Sequence, residues 1–443
     1  MMSCLVELRE RLARMGYFKT APTATPGSQV AARPPVPPPR TAVGSGVPDV
    51  HEVVEGRHRE SPYGRCFVAE TRYPLDHAHA AVALSDLLDA AGDALALLGA
   101  DQRLAFVDPE RAVLVDVETT GLAGGTGTYV FLVGVGYFAE GSFCVDQFFL
   151  RDPSEERAML GTLAETLAHT EAIITFNGKC FDWPLIETRH LYNRVPLQPR
   201  APLHLDLLFP ARRLFKRRLG ACNLTALEVG ALGQAQRRDD VPGWLIPTIY
   251  FDYLRCRDGR PLARVFHHNR LDILTMLALA VHMARRVADP FGAPPDHAID
   301  LYSLGRFYDD HGHLERAVHC YERALAETAS DLDRLEVLRQ LASAYKRLDH
   351  HQRAVALWTE MVAAGANSTY PYVELAKYLE HRVREHERAA ALTRQALARH
   401  DALRPTLGTR RWHDERAELT KRLARLERKL AGQRQERRAP AVV

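Results

Sequence analysis

Between residues 298 and 400 the chain repeats a pattern of small and apolar residues, and this repeat narrows the folds open to that part of the molecule. The first copy consists of Leu304, Gly305, Tyr308, Ala317, Tyr321 and Ala324. The second copy lies 37 positions later and consists of Leu341, Ala342, Tyr345, Ala354, Trp358 and Met361. Small residues let two antiparallel helices approach closely, and aromatic residues fill the gaps between them. The spacing therefore predicts stacked helix pairs.

A third copy is looser. It holds Leu375, Ala376 and Leu379, and then Ala389 one position late. The offsets match the tetratricopeptide repeat, and an ordinary helical bundle is the alternative. We expect such repeats to dock a protein partner or to position nucleic acid on their concave face.

The rest of the chain divides by composition. Residues 1–60 read as a short amphipathic helix followed by a proline-rich linker, because dense proline removes the backbone donors of helix and sheet. Residues 61–292 alternate strand and helix patterns, with a hairpin predicted at Glu140 and Gly141, so a mixed sheet covered by helices is expected. Residues 404–443 form a basic helix and tail that would cap the repeats.

Charge and cysteine content exclude several protein classes. Lys and Arg number 58 against 55 Asp and Glu, so the net charge of +3 does not by itself predict a partner. The seven scattered cysteines form no C-x-x-C pair, which argues against a structural zinc site and suits reduced thiols in the cytoplasm. We find neither a signal peptide nor an apolar run long enough to span a membrane.

The strongest chemical signal is the pair Asp116 and Glu118, which closes the apolar segment AVLVDVE at 112–118. Residues two apart on a strand point to the same face, so the two carboxylates project side by side. Such carboxylates repel each other unless a proton or a cation lies between them, and hard oxygen ligands suit Mg²⁺ or Mn²⁺. Two solvated acids at a strand end are the alternative.

Two further motifs carry acids. NGKCFDWP at 177–184 follows the apolar strand AIITF and places Asp182 at the start of a helix. FHHNRLDIL at 266–274 places Asp272 at the start of a helix predicted over 271–287, with His267 and His268 about one turn earlier. A histidine at that distance from a metal-bound acid can accept a proton from water. Simple helix capping is the alternative for both acids.

Together these motifs resemble the DEDD exonuclease superfamily, which has a ribonuclease-H-like fold, over residues 105–285. The D-x-E-T-T-G-L phrase at 116–122 is specific for that superfamily. The N-G-K-x-F-D-W-P phrase, the HNRLD segment and the repeats are similar to the bacterial YprB-like family. The resemblance implies an α/β ribonuclease-H-like domain, with a mixed sheet and helices on both faces, followed by an all-α tetratricopeptide-type domain.

Carried over by motif, the four metal-binding acids of the superfamily correspond to Asp116, Glu118, Asp182 and Asp272. The resemblance implies a pair of Mg²⁺ or Mn²⁺ ions about 4 Å apart that support phosphodiester hydrolysis, usually from a 3′ end. DEDD enzymes place either a histidine five residues before the last acid or a tyrosine four residues before it. His267 fills the first position and His268 the second. We favour His267 as the base, because the superfamily uses histidine at the first position, and the HNRLD alignment keeps His268 as the alternative.

Several residues are candidates for contact with the nucleic acid. The helix at 212–218 combines basic residues with an apolar face, and a solvated basic face is its alternative. Trp183 and Phe181 flank Asp182 and are candidates for stacking on bases, although core packing is favoured for Phe181. The candidate contacts are Asn177, Trp183, Arg212, Arg213, Lys216, Arg217 and Arg218. We interpret Asp206 as structural.

The sequence thus predicts a cytoplasmic, metal-dependent hydrolase that acts as a 3′–5′ exonuclease on DNA or RNA and carries a small repeat module. A catalytically inactive nuclease fold, serving as a scaffold for a tetratricopeptide adaptor, is the hypothesis from another class. An endonuclease on the same fold is a third.

Overall fold

The computed structural model describes residues 46–121, 127–199, 202–237, 240–292, 297–327, 334–403 and 409–438. The N-terminal amphipathic helix and most of the proline-rich linker predicted for 1–60 lie outside the described residues. The linker prediction was wrong at its end, because residues from Arg57 onward already belong to a strand. The described residues form one compact unit.

A seven-stranded mixed sheet forms the centre of the first half of the molecule. The strands are β1 (Arg57–Ser61), β2 (Gly64–Pro74), β3 (Ala78–His79), β4 (Val82–Ala83), β5 (Ala112–Thr119), β6 (Val130–Ala139), β7 (Ser142–Phe149), β8 (Ala172–Thr175) and β9 (Leu203–Asp206). The sheet order is β1-β2-β7-β6-β5-β8-β9, while β3 and β4 pair separately. Strands β5, β8 and β9 run parallel, and the remaining neighbours are antiparallel.

Helices cover the sheet and then continue as pairs to the end of the described chain. They are α1 (Val50–Val53), α2 (Gly92–Gly99), α3 (Glu156–Leu167), α4 (Asp182–Asn193), α5 (Leu208–Leu219), α6 (Leu224–Gly230), α7 (Ile246–Cys256), α8 (Arg260–Ala288), α9 (Ala298–Asp310), α10 (Leu314–Ala326), α11 (Arg334–Arg347), α12 (His351–Ala363), α13 (Tyr370–Tyr378), α14 (His386–Ala402) and α15 (Thr409–Arg438). The mixed sheet followed by helix pairs confirms the predicted fold class.

The hairpin of β6 and β7 was predicted correctly. The turn residues Glu140 and Gly141 both have positive φ, and Ala139 pairs with Ser142 across the turn. Further along β6, Gly134 and Gly136 face α8, and a side chain at either position would overlap Asn269 or Ile273. These glycines therefore let the long helix lie directly on the sheet beside the acidic end of β5.

Helix α8 is longer than the apolar pattern indicated. It begins at Arg260 with Pro261 in its first turn, where a missing backbone donor costs nothing, so the prediction of a helix start near 271 was wrong. Asp272 consequently lies in the middle of a helix and is not a cap. His268 stands one turn before it, on the same face of the helix.

One apolar core runs from the sheet into the repeats. It includes Leu114 of β5, Ile273 of α8, Tyr308 of α9 and Trp358 of α12. A second core lies on the other face of the sheet and includes Val115 and Phe149. The sheet therefore has an apolar layer on both faces, and the repeats share one of them.

The irregular third repeat has a local cause. A π-helical turn spans Leu379–Val383, directly after α13. A π turn holds one residue more than an α turn, which accounts for the late position of Ala389 in the sequence pattern. Leu379 and Ala389 pack with Leu426 of α15, so the basic C-terminal helix closes this end of the repeats.

Candidate active site

Asp116 lies on the face of β5 that is covered by α8. It stands opposite Gly134 of β6, which in turn stands opposite Gln147 of β7. The Asn269 side chain of α8 donates a hydrogen bond from Nδ2 to Asp116 Oδ2 over 2.8 Å. Gln147 donates from Nε2 to Asn269 Oδ1, also over 2.8 Å. A buried amide chain therefore fixes the Asp116 carboxylate.

Asp182 reaches the same region from the next strand. It opens α4 after the turn that follows β8. The Asp206 carboxylate accepts hydrogen bonds from the backbone N–H groups of Asn177 and Lys179, at 2.8 and 3.0 Å, and so holds that turn. This is the structural role expected for Asp206. Asn177 has a φ of +70° and serves the turn through its backbone.

His268 connects the strand motif with the helix motif. Its Nε2 lies 3.7 Å from Glu118 Oε1 and 3.5 Å from Asp272 Oδ2. Its Nδ1 forms a 2.6 Å hydrogen bond with Asp240 Oδ1. The ring thus presents one nitrogen to two of the predicted acids while a third carboxylate orients it from behind.

His267 lies elsewhere. Its Nδ1 is 3.3 Å from Arg270 Nη2, and the ring lines a separate open pocket together with Thr71 and Phe266. Burial and the Arg270 charge lower its pKa. The geometry favours His268 over His267 as the residue beside the acids, in contrast to the first of the two motif alignments.

Arg237 was not predicted and stands among the acids. Its Nη2 lies 2.8 Å from Asp272 Oδ1, and its Nε donates to Glu228 Oε2 over 2.9 Å. The side chains of Arg237 and Glu228 are 11% and 1% exposed, so this is a buried ion pair. The sequence signal was faint, because the stretch between α6 and α7 that carries Arg237 and Asp240 has no periodicity.

Electrostatics mark these acids as a cluster. Burial, followed by repulsion from Asp272 and Glu118, raises the pKa of Asp116 well above its usual range. Burial raises the pKa of Glu118 to about 8 although His268 opposes the shift. Burial also raises the pKa of Asp182 to about 7 and raises that of Asp272. The positive charge near the four acids is therefore too small to keep all of them ionised at their usual pKa values.

The carboxylate side chains at this site have the chemistry that the divalent ions implied by the resemblance require. Carboxylate oxygens are the ligands that Mg²⁺ and Mn²⁺ prefer, and buried carboxylates with raised pKa values gain most from a cation. The chemistry therefore fits. Within the described ranges, no three His, Cys, Asp or Glu side chains stand ready to hold one ion, so binding requires these carboxylates to turn towards a shared point.

Three arginines that were predicted to contact nucleic acid form salt bridges with the repeats. On α5, Arg213 pairs with Asp310 and Arg217 pairs with Glu336, both in the repeats. Arg218 lies 2.8 Å from Asp300, which is buried in α9. These arginines join the sheet domain to the repeats, and acidic partners balance their charge, while the side chains of Arg213 and Arg217 stay about half exposed. Lys216 is exposed on the same helix and Arg212 is partly exposed.

Of the two aromatic residues beside Asp182, the one expected in the core is exposed, and the one expected to stack on a base is buried. Trp183 is 7% exposed and packs in the core, with its Nε1 donating to Glu187 Oε1, so it cannot stack on a base. Phe181 is 46% exposed. The preference for Phe181 in the core was therefore wrong, because the first turn of α4 directs residue 183 inward.

Comparison with known proteins fits this arrangement. A family model described as RNase_H superfamily matches residues 113–284, and a model described as Tetratrico peptide repeat matches residues 298–404. The chain is 31% identical over 377 residues to the "Uncharacterized protein YprB" of Bacillus subtilis (strain 168), a match that covers 82% of this chain and 86% of that protein. The chain belongs to the YprB family. This YprB-family protein thus carries a nuclease-type domain followed by tetratricopeptide repeats.

Two crystal structures of TPR-like repeats from a Podosopora anserina putative kinesin light chain are also similar. Each is 26% identical to this YprB-family chain and covers 41% of it and 89% of its own length, with a TM-score of 0.27. As for membranes, none of the helices in the described residues combines the length and the apolar character needed to cross one.

Proposed function

We propose that this protein is a metal-dependent nuclease that removes nucleotides from a 3′ end of DNA or RNA. Its catalytic domain would be residues 61–292, with repeats at 298–400 and a basic helix and tail at 404–443. The observation that carries the proposal is the approach of His268 Nε2 to Glu118 and Asp272, which joins acids from two distant motifs.

In this proposal Asp116, Glu118, Asp182 and Asp272 hold two Mg²⁺ or Mn²⁺ ions. The ions would supply positive charge at the attacking and leaving oxygens of the phosphodiester. Asn269 keeps one oxygen of Asp116 occupied, at 2.8 Å, and leaves the other for a ligand. The acids are largely withdrawn from bulk solvent, which strengthens the charge interactions among them.

His268 acts as the general base. Because Asp240 accepts the hydrogen on Nδ1, the neutral ring keeps the lone pair on Nε2, and Nε2 faces the acids. Water bound at the acids can pass its proton to Nε2. A carboxylate behind the ring also stabilises the imidazolium that forms.

For the substrate we propose contacts close to the acids. Phe181 is exposed beside Asp182 and can stack on a base, a role that the buried Trp183 cannot take. Lys216 and Arg212 remain candidates for phosphate contact. Asn177 would act through the turn it stabilises.

The test is hydrolysis of single-stranded DNA and RNA labelled at the 3′-terminal nucleotide, with Mg²⁺ or Mn²⁺ across pH 7–9. We expect mononucleotide products and no activity in Asp116→Asn. Asp93→Asn changes an exposed acid of α2 and should keep full activity. Intact substrates would sink the proposal, and internal fragments would turn it into an endonuclease.

A second candidate is an inactive nuclease fold that serves as a scaffold for the repeats. The pairing of Arg237 with Asp272 favours it, because a guanidinium already supplies positive charge to one of the acids. Calorimetric titration with Mn²⁺ separates the two candidates. Binding that disappears in Asp116→Asn supports the nuclease, and absence of binding in the wild type supports the scaffold. Cytoplasmic location and a protein partner for the repeats stay predictions.

A further inference from the structure

Asp272 is held on one side only. Arg237 Nη2 lies 2.8 Å from its Oδ1, while its Oδ2 faces His268 Nε2 at 3.5 Å. The two oxygens of this carboxylate therefore have different surroundings. One is bound to a buried guanidinium, and the other faces the His268 ring.

Arg237 is itself fixed from behind by Glu228. The guanidinium donates to Glu228 from Nε, at 2.9 and 3.1 Å, and from Nη2. Such paired N–H donors fit a carboxylate in one orientation only. Because two of its nitrogens are committed to Glu228, the arginine cannot follow Asp272 if that side chain rotates.

Glu228 is held in turn by α8. Its carboxylate accepts a hydrogen bond from the Thr275 hydroxyl, and His79 Nε2 lies 3.0 Å from the same hydroxyl oxygen. Since the hydroxyl has a single hydrogen and donates it to Glu228, His79 donates to the oxygen. A buried chain thus runs from β3 through Thr275 and Glu228 to Arg237, and ends at Asp272.

We propose that Glu228 and Arg237 form an outer shell that positions Asp272, holding Oδ1 so that Oδ2 alone is presented to a divalent ion. The inference rests on the proposed function, because it assigns Asp272 as a metal ligand. Outer residues that orient a ligand commonly raise metal affinity tenfold to a hundredfold. Arg237 is a positioning residue here and does not touch the reacting atoms.

The test measures Mn²⁺ affinity of the full-length protein by calorimetry and thermal unfolding in EDTA. We expect Arg237→Ala to weaken Mn²⁺ binding about tenfold to a hundredfold. Arg237→Lys should restore part of it, because an ammonium can reach Asp272 or Glu228 but lacks the fork that binds both. Arg422→Ala is the matched control, since it removes another largely buried arginine–carboxylate contact, with Glu380 at the C-terminal end of the repeats, and should leave Mn²⁺ affinity unchanged.

Loss of Arg237 leaves Glu228 buried without a cation, so the single variant can lose stability. The double variant Glu228→Gln/Arg237→Gln removes both charges together and should unfold at a temperature closer to that of the wild type while still binding Mn²⁺ weakly. If either variant folds and binds Mn²⁺ with wild-type affinity, this inference fails while the proposed function stands. Tighter binding would overturn it as well, because Arg237 would then be a competitor of the ion. No Mn²⁺ binding by the wild type would overturn the proposed function and this inference with it.

Discussion

The side chains of the two adjacent histidines have different surroundings, and this difference predicts different effects of mutating them. His268 faces Glu118 and Asp272, and His267 faces Arg270. We expect His268→Gln to lower the hydrolysis rate about 10²–10⁴-fold, the usual contribution of a general base. His267→Gln is the control and should stay within a few-fold of the wild type. Steady-state rates on a labelled oligonucleotide measure both, and the reverse order of effects would return the role to His267.

Phe181 offers a second residue-scale prediction. Stacking of one base on an aromatic ring contributes about 1–3 kcal/mol, so Phe181→Ala should weaken oligonucleotide binding roughly 5- to 150-fold with little change in stability. Fluorescence anisotropy with Ca²⁺ in place of Mg²⁺ would measure this. Phe291→Ala, in the turn after α8, is the exposed control. Equal affinities for Phe181→Ala and the wild type would exclude the ring from the binding surface.

The sequence predicted the residues that stand in recognisable motifs and missed those that support them. Asp116, Glu118 and Asp272 could be named because each ends or interrupts an apolar pattern. Arg237 and Asp240 could not, since they lie in the stretch between α6 and α7, which has no periodicity and makes its contacts with the distant α8. Glu228 could not either, because it is a single acid on the short helix α6 and its partners are far along the chain. Gln147 gave a fainter signal, as an amide in a mostly apolar strand, and Asn269 stood within the polar HHNRLD segment without a sign of its role.

At the scale of elements, apolar runs decided what could be predicted. Strands β5 to β8 were found because they are continuous apolar segments. Strand β1, with the sequence RHRES, was missed because it is an edge strand of polar residues, whose arginines form salt bridges with Glu70 of β2. The predicted start of helix α8 was too late in the chain, because its first turns carry polar residues on the side away from the core.

Besides apolar packing at Leu426, α15 is attached through a buried acid, Glu380. Its carboxylate accepts hydrogen bonds from Arg422, Arg425 and Lys429 at 2.8 to 3.0 Å. We expect Glu380→Gln to lower the free energy of unfolding at pH 7 by about 1–3 kcal/mol, since charge-assisted hydrogen bonds are lost. Chemical denaturation checks this. Glu418→Gln, which affects an exposed pair with Lys421, is the control and should change little.

The same contact predicts a pH dependence. Although burial opposes the shift, hydrogen bonds from Arg425 and Lys429 lower the pKa of Glu380 from the usual 4.5 to about 2. A lowered pKa means that the ionised group adds stability above pH 4.5 and loses it as the pH falls towards 2. The difference in stability between wild type and Glu380→Gln should therefore shrink over that interval. A constant difference would show that the charge of Glu380 is not its cause.

At the scale of the whole molecule, the repeats and the sheet domain depend on each other. They share one apolar core, and Arg218 reaches across to the buried Asp300. A chain ending at residue 292 would expose the apolar surface of α5 that α9 covers, so we expect it to aggregate. A chain ending at residue 403 lacks only α15 and its tail and should remain soluble but less stable. Size-exclusion chromatography distinguishes these outcomes, and a monodisperse, cooperatively unfolding 1–292 fragment would contradict the expectation.

The π turn at Leu379–Val383 has one more consequence. In a regular array each helix pair is a template on which an identical pair can be added, so gene duplication can lengthen the series without limit. Here the extra residue changes the direction in which the chain leaves α13, and it turns the carboxylate of Glu380 towards the basic side of α15. A further repeat would meet these charged side chains where its helices need small apolar residues. The π turn after α13 therefore limits the number of repeats in this protein.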